Sequence, residues 1–145
     1  MNEQYRELLF IDLCGRIPYK VRMFEIEPIN DIQSNLTLQS ISNKASVICI
    51  TPSGGVIGSS IDAFKPYLFP LSSMTEEQRE EFLNIQTEER QILLNALIEY
   101  KSGKYDKIPI IAPYKQIEWL NKNHFDYRGL IEKSLALDAT NLNIY

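Results

Sequence analysis

The chain holds a single histidine, His124, a single tryptophan, Trp119, and two cysteines among 145 residues. One imidazole, with no CxxC or HxxxH spacing, cannot assemble a zinc-ligand framework, so no metal or other cofactor is expected. Cys14 and Cys49 both lie among apolar neighbours and read as reduced, buried thiols rather than as a disulfide. Long apolar runs are missing as well. The longest, residues 45–50 and 108–112, are strand-sized, well short of the roughly 18 residues of a membrane helix, so no membrane partner is expected. The opening Met1-Asn2-Glu3-Gln4-Tyr5-Arg6-Glu7 lacks the positive charge and apolar stretch of a secretory signal and predicts a cytoplasmic protein. A concentrated basic stretch is also absent. The net charge is −4, and residues 75–100 alone carry seven acids against two bases. A nucleic-acid binder ordinarily gathers lysine and arginine on one face, and the mildly basic segment 101–145 falls short of that.

What the chain has is an ordinary globular composition, 44% hydrophobic and 23% charged. Its length suits one domain, residues 1–145, with no repeat, linker or low-complexity segment. Tyr5, Leu8, Leu9 and Asp12 recur at helical spacing, which predicts a helix over 3–14 with Gly15 just past its end. Residues 19–27 read as a strand whose alternation slips at Phe24, implying either two partly covered faces or a bulge. Strands follow at 35–42 and 45–51, joined by the polar turn Ser42-Asn43-Lys44, and Pro52-Ser53-Gly54-Gly55 leads into a short fourth strand at Val56-Ile57. Residues 61–73, broken by Pro66 and Pro70, read as an irregular segment lying across the core.

Thr75-Glu76-Glu77-Gln78 has the form of a capping box and opens a helix to Tyr100, either continuous or broken at the wholly polar stretch 86–91. Ile92, Leu93, Ala96, Leu97 and Tyr100 share one face. An extended patch is expected at 108–111, a helix from Pro113, a turn at 125–129, and a short helix or closing strand at 130–137. The fold class is therefore α+β: an N-terminal helix, a three- to four-stranded antiparallel meander with an SH3-like barrel as a variant, and C-terminal helices packed on the sheet. The expected core is Leu9, Leu13, Val21, Phe24, Ile26, Val47, Ile48, Ile50, Phe64, Leu68, Phe82, Ile117, Leu120 and Leu130.

Chemistry is sparse. His124 near Asp126 has the makings of a general base and its orienting carboxylate, but a histidine closing its helix, with Asp126 and Arg128 paired locally, is the plainer reading. The glycine-rich turn at 52–59 lacks both phosphate-loop patterns and no helix follows it. The glutamates of 75–100 lack calcium-loop spacing. Arg16, Lys20, Arg22, Lys101, Lys104, Lys107 and Lys115, interleaved with Tyr19, Tyr105 and Tyr114, would form a nucleic-acid surface only if folding gathered them. Tyr67, Phe69, Trp119, His124, Phe125, Asp126, Tyr127 and Arg128 form the candidate interaction surface, since aromatics and arginine dominate protein interfaces.

Three stretches resemble a family of small uncharacterised proteins from gut bacteria and their phages and mobile elements. They are Asp12-Leu13-Cys14-Gly15-Arg16-Ile17-Pro18-Tyr19; Lys65-Pro66-Tyr67-Leu68-Phe69-Pro70-Leu71-Ser72-Ser73-Met74-Thr75-Glu76-Glu77; and Trp119-Leu120-Asn121-Lys122-Asn123-His124-Phe125-Asp126-Tyr127-Arg128-Gly129-Leu130-Ile131, with Leu135-Ala136-Leu137-Asp138-Ala139 after it. The resemblance covers about half the chain and implies a phage or mobile-element origin, with the host cytoplasm as its place. It brings no catalytic residues. The functional expectation is a non-enzymatic accessory protein acting on a protein partner. A nucleic-acid-binding regulator and an enzyme using His124 stand as the alternatives.

Overall fold

Asn2 starts the first helix: its side-chain oxygen accepts the amide of Tyr5 at 2.8 Å, and α1 spans Glu3–Arg16. The chain then passes through a 3-10 turn, Ile17–Tyr19, and Lys20 takes the left-handed conformation at φ 54°. Gly15 thus lies inside the helix and does not terminate it. A β-carbon at position 15 would sit 2.9 Å from Asn121 Nδ2, so glycine is there for close approach. This computed structural model describes residues 1–26, 35–42, 46–104 and 114–145. The turn at 43–44, the patch at 108–111, the helix start at Pro113, Tyr105, Lys107 and the side chain of Tyr100 lie outside the described residues.

The strands are β1 (Arg22–Glu25), β2 (Leu36–Ser42), β3 (Ser46–Ile50), β4 (Val56–Ser60), β5 (Phe64–Pro70), β6 (Phe125–Asp126) and β7 (Leu137–Asp138). The expected antiparallel meander is present, with β1 on β2, β2 on β3 and β3 on β4. Thr51 and Gly55 close the β3–β4 turn, the Thr51 amide donating to the Gly55 carbonyl at 2.8 Å, with Gly54 at φ 88°. The sheet is open, with order β4-β3-β2-β1-β5-β6, so the barrel variant does not hold. Residues 64–70 correct the sequence reading further: they are a regular strand, not an irregular segment. β5 pairs antiparallel with β1 through residues 64–66, then parallel with β7 through Tyr67 and Leu68, then parallel with β6 through Phe69 and Pro70. A strand paired by such short partners tolerates two prolines, because few ladder bonds need an amide from those positions.

One buried cluster holds this part together: Leu9 and Leu13 of α1 against Met23, Leu36, Leu38, Val47, Cys49, Phe64 and Leu68 of the sheet, with Leu130, Leu135 and Ala136. β1 alternates cleanly, Val21, Met23 and Glu25 buried and Arg22 and Phe24 half-covered. Phe24 meets the Tyr67 ring edge-on at 6.2 Å, so both faces of β1 are partly covered. The bulge lies in β2 instead, between Leu38 and Ser40. Of the expected core, Ile26 and Ile117 are 41% exposed. Ile26 follows the end of β1, on the phase opposite Glu25. Cys14 is exposed and only Cys49 is buried, because Cys14 falls between the inward positions Leu13 and Arg16 of α1. Residues 130–136 form a succession of turns.

Contacts divide the described residues into two compact units, 1–73 with 121–145, and 74–120. In the second, α2 runs unbroken over Glu76–Lys101. Its capping box is formed as the sequence suggests: the Gln78 amide donates to Thr75 Oγ1 at 3.2 Å and the Thr75 amide to Gln78 Oε1 at 2.9 Å. The third helix, α3, spans Tyr114–Lys122. The polar stretch 86–91 is no break, and Glu89 in it is buried. Its carboxylate accepts the Lys115 amide at 2.9 Å and Gln116 Nε2 at 2.8 Å, which places negative charge at the first turn of α3. Phe82 packs on Trp119 at 5.5 Å between centroids. The described elements form an α+β fold, and no helix among them is long and apolar enough to cross a membrane.

Candidate functional site

The three motif stretches meet in the first unit, and their meeting point is polar. Asp12 and Arg16 lie four apart on α1 and are both fully buried. Arg16 Nε donates to Asp12 Oδ2 at 2.6 Å and Arg16 Nη2 to Asp12 Oδ1 at 3.1 Å, a fork-to-fork pair. Arg16 Nη2 also donates to the Phe125 carbonyl at 2.8 Å, tying α1 to β6 across 109 positions of sequence. Arg128 Nε approaches Asp12 Oδ1 at 3.5 Å. The Tyr127 ring carries Arg128 at 4.9 Å and Arg16 at 5.6 Å from its centroid, so two guanidiniums share one carboxylate and one ring.

His124 closes the turn after α3 with φ 60°, its amide donating to the Asn121 carbonyl at 3.2 Å and its carbonyl accepting the Phe69 amide at 2.9 Å. Tyr145 stacks on the imidazole at 3.9 Å between centroids and 14° between planes. The Tyr145 hydroxyl donates to the Tyr67 carbonyl at 2.6 Å and accepts the Arg22 amide at 3.1 Å. Phe69 completes the cluster against Phe125 and Tyr145. Burial, with Arg16 and Arg22 nearby, lowers His124 to about 4 and leaves it neutral near pH 7.

Asp126 does not orient His124. Its two carboxylate oxygens accept the amides of Leu130 at 2.9 Å and Ile131 at 2.8 Å, capping the turns that follow β6. His124 Nδ1 is buried without a hydrogen-bonding partner. The base-and-orienter pair considered from sequence is therefore not assembled. No thiol stands in for it: Cys49 sits in β3, its thiol pushed up to about 12 by burial and by Glu25. Arg16 Nη1 and Asn121 Oδ1 are likewise buried and unpartnered. Among the described residues no three His, Cys, Asp or Glu side chains gather as metal ligands would.

The candidate interaction residues are mostly interior. Tyr67, His124, Phe125 and Asp126 are buried in the first unit, where Phe69, Tyr127 and Arg128 are half-buried; Trp119 is buried in the second. Those of the first unit brace the fold at the junction of β5, β6 and α1. The candidate basic face loses Arg16, which is fully buried on Asp12. Sequence reading took Arg16 for a surface cation and passed over Asp12 as its partner. The available signal was an acid and a base four apart, at 12 and 16, in helical phase with the inward leucines 9 and 13.

The exposed apolar surface is elsewhere. On α2, Leu83, Leu94 and Ile98 are 53%, 53% and 64% exposed. At 3.6 residues per turn these three fall within about 60° of one another around the axis. Ile92 and Leu93 are exposed too, but by the same count they point away from these three, toward the side of Phe82, Ile85, Gln86, Glu89 and Ala96, which are covered. No family model, curated protein or solved structure matches this chain.

Proposed function

We propose that this protein is a non-enzymatic accessory factor that binds a protein partner through the exposed face of α2. One observation carries the reading: the C-terminal half of α2 is apolar on more than one face, and Leu94 and Ile98 lie open to solvent one turn apart. A helix apolar on both sides ordinarily has something covering each. The same helix supplies a charge pattern. Glu76, Glu77, Glu80, Glu81 and Glu88 are exposed ahead of the apolar half, against Arg79 and Arg90. The partner that fits is a helix or strap with an apolar ridge and a basic flank, laid so that its lysines or arginines meet the acidic half. The buried, neutral His124 favours this reading over the enzyme. The motif resemblance supports a phage or mobile-element origin, with action in the host cytoplasm.

The test is a paired purification from cells carrying the gene, with wild type and a Leu94→Glu/Ile98→Glu variant. The expected result is a stoichiometric protein retained by wild type and lost with the variant. That protein, once purified, should bind directly and protect amides of residues 91–98 from exchange. Retention by both forms, protection confined to other residues, or a wild type that only self-associates would overturn the reading.

A further inference from the structure

A cavity of about 260 Å³ opens in the first unit, lined by Met1, Tyr5, Ile26, Asp62, Phe64, Lys65, Ser134 and Leu135. Its depth is apolar, with Phe64 and Leu135 buried beneath it, and its mouth includes Ile26, which is 41% exposed. Two residues with ionisable side chains, Asp62 and Lys65, are among those lining it, and they differ. Asp62 is engaged: Arg6 Nη2 donates to Asp62 Oδ2 at 2.6 Å and Arg6 Nε to Asp62 Oδ1 at 3.2 Å. Lys65 has no ion-pair partner among the described residues and is half-buried on β5. Arg6, shared with Glu3 at 2.9 Å, and the amino group of Met1 both offset the Asp62 carboxylate, and Lys65 is a further ammonium at the wall, without an ion-pair partner among the described residues. An apolar recess with a cation at its wall is the pattern of a site that takes an apolar body and fixes an anionic head.

We propose that this cavity binds a small amphipathic carboxylic acid, its hydrocarbon part against Tyr5, Ile26, Phe64 and Leu135 and its carboxylate at Lys65. At interior packing density the volume admits about ten non-hydrogen atoms, the size of a medium-chain acid. A dissociation constant of roughly 1 mM is near the weak end of what a ligand that small reaches. The site is built wholly from residues of the first unit and is independent of α2.

Octanoate is the probe, with octylammonium and octanamide as the charge-reversed and neutral comparisons, followed by backbone amide shifts. Octanoate is expected to give saturable shifts at Tyr5, Ile26, Phe64, Lys65 and Leu135, with octanamide weaker and octylammonium weakest. Lys65→Gln, at a half-exposed strand position, should weaken octanoate about fivefold without altering the fold, the scale of a partly exposed ion pair. Ile26→Trp, which fills the mouth, should abolish the shifts. No localised shifts at 10 mM octanoate, equal binding of octylammonium, or full affinity in Lys65→Gln would each overturn the proposal. A Leu94→Glu/Ile98→Glu protein that still binds octanoate would separate this site from the α2 surface.

Discussion

The imidazole of His124 lies flat against the ring of Tyr145, 3.9 Å between centroids, and the Tyr145 hydroxyl ties strands β1 and β5 through the Arg22 amide and the Tyr67 carbonyl. His124 remains 9% exposed under this cover. Its proton affinity and the seating of the last residue are therefore linked.

That linkage sets a pH dependence. The unfolded imidazole protonates near 6.5, the folded one only near 4, lowered by burial first and then by Arg16 and Arg22. The unfolded state therefore binds the extra proton, and stability present above pH 6.5 is lost as pH falls toward 4. The loss is up to about 3 kcal/mol from this group. Denaturant melts at pH 7 and pH 4.5 should show it in wild type, with a markedly smaller drop in His124→Phe. Tyr145→Ala should bring the His124 titration, followed by NMR, back toward 6.5. A histidine that titrates normally in the folded wild type would contradict the stacked geometry.

Tyr145→Phe removes one hydroxyl and leaves the Tyr67 carbonyl and the Arg22 amide short of a partner. The expected cost is about 1 kcal/mol, read as a shift of the denaturation midpoint at unchanged slope. Hydrogen exchange at Arg22 should speed up by a similar factor.

Arg16→Met strands the Asp12 carboxylate and the Phe125 carbonyl inside the fold. Breaking a buried pair from one side costs about 3–5 kcal/mol, and Arg128 at 3.5 Å recovers only part of it. The double variant Asp12→Leu/Arg16→Met should be more stable than Arg16→Met alone, because it removes the stranded charge. Stability curves of the two singles and the double measure the coupling directly.

The two thiols should differ in reactivity. Cys49 is buried in β3 and its thiol is pushed up to about 12, while Cys14 is exposed on α1. A disulfide-exchange reagent at pH 8 should label one thiol in the native protein and two in denaturant, and Cys14→Ser should abolish the native reaction.

Thr75→Ala removes one half of the α2 capping box. The expected loss is about 1 kcal/mol of helix stability, visible as faster amide exchange at residues 76–79 and leaving β1–β4 unchanged.

Local chemistry was legible where neighbours in sequence are neighbours in space. The Thr75–Gln78 box, the β2, β3 and β4 strands and the turn at Gly54 follow from spacing, because a cap, a pleat and a tight turn are each settled within a few residues. The inward leucines 9 and 13 of α1 belong to the same class. What the sequence could not decide is how a polar residue is used. Arg16 and Lys20 look alike on paper, yet one is sealed against Asp12 under β6 and the other is exposed. Glu89 and Glu88 adjoin, yet one caps α3 and the other faces solvent. Residues 64–70 read as irregular because the two prolines obscure a strand whose partners lie as far away as β6 and β7. Sequence period says which side of an element is apolar. Only the tertiary structure brings a carboxylate, a guanidinium and a distant carbonyl into bonding range, and burial then decides whether they brace the fold or meet a partner.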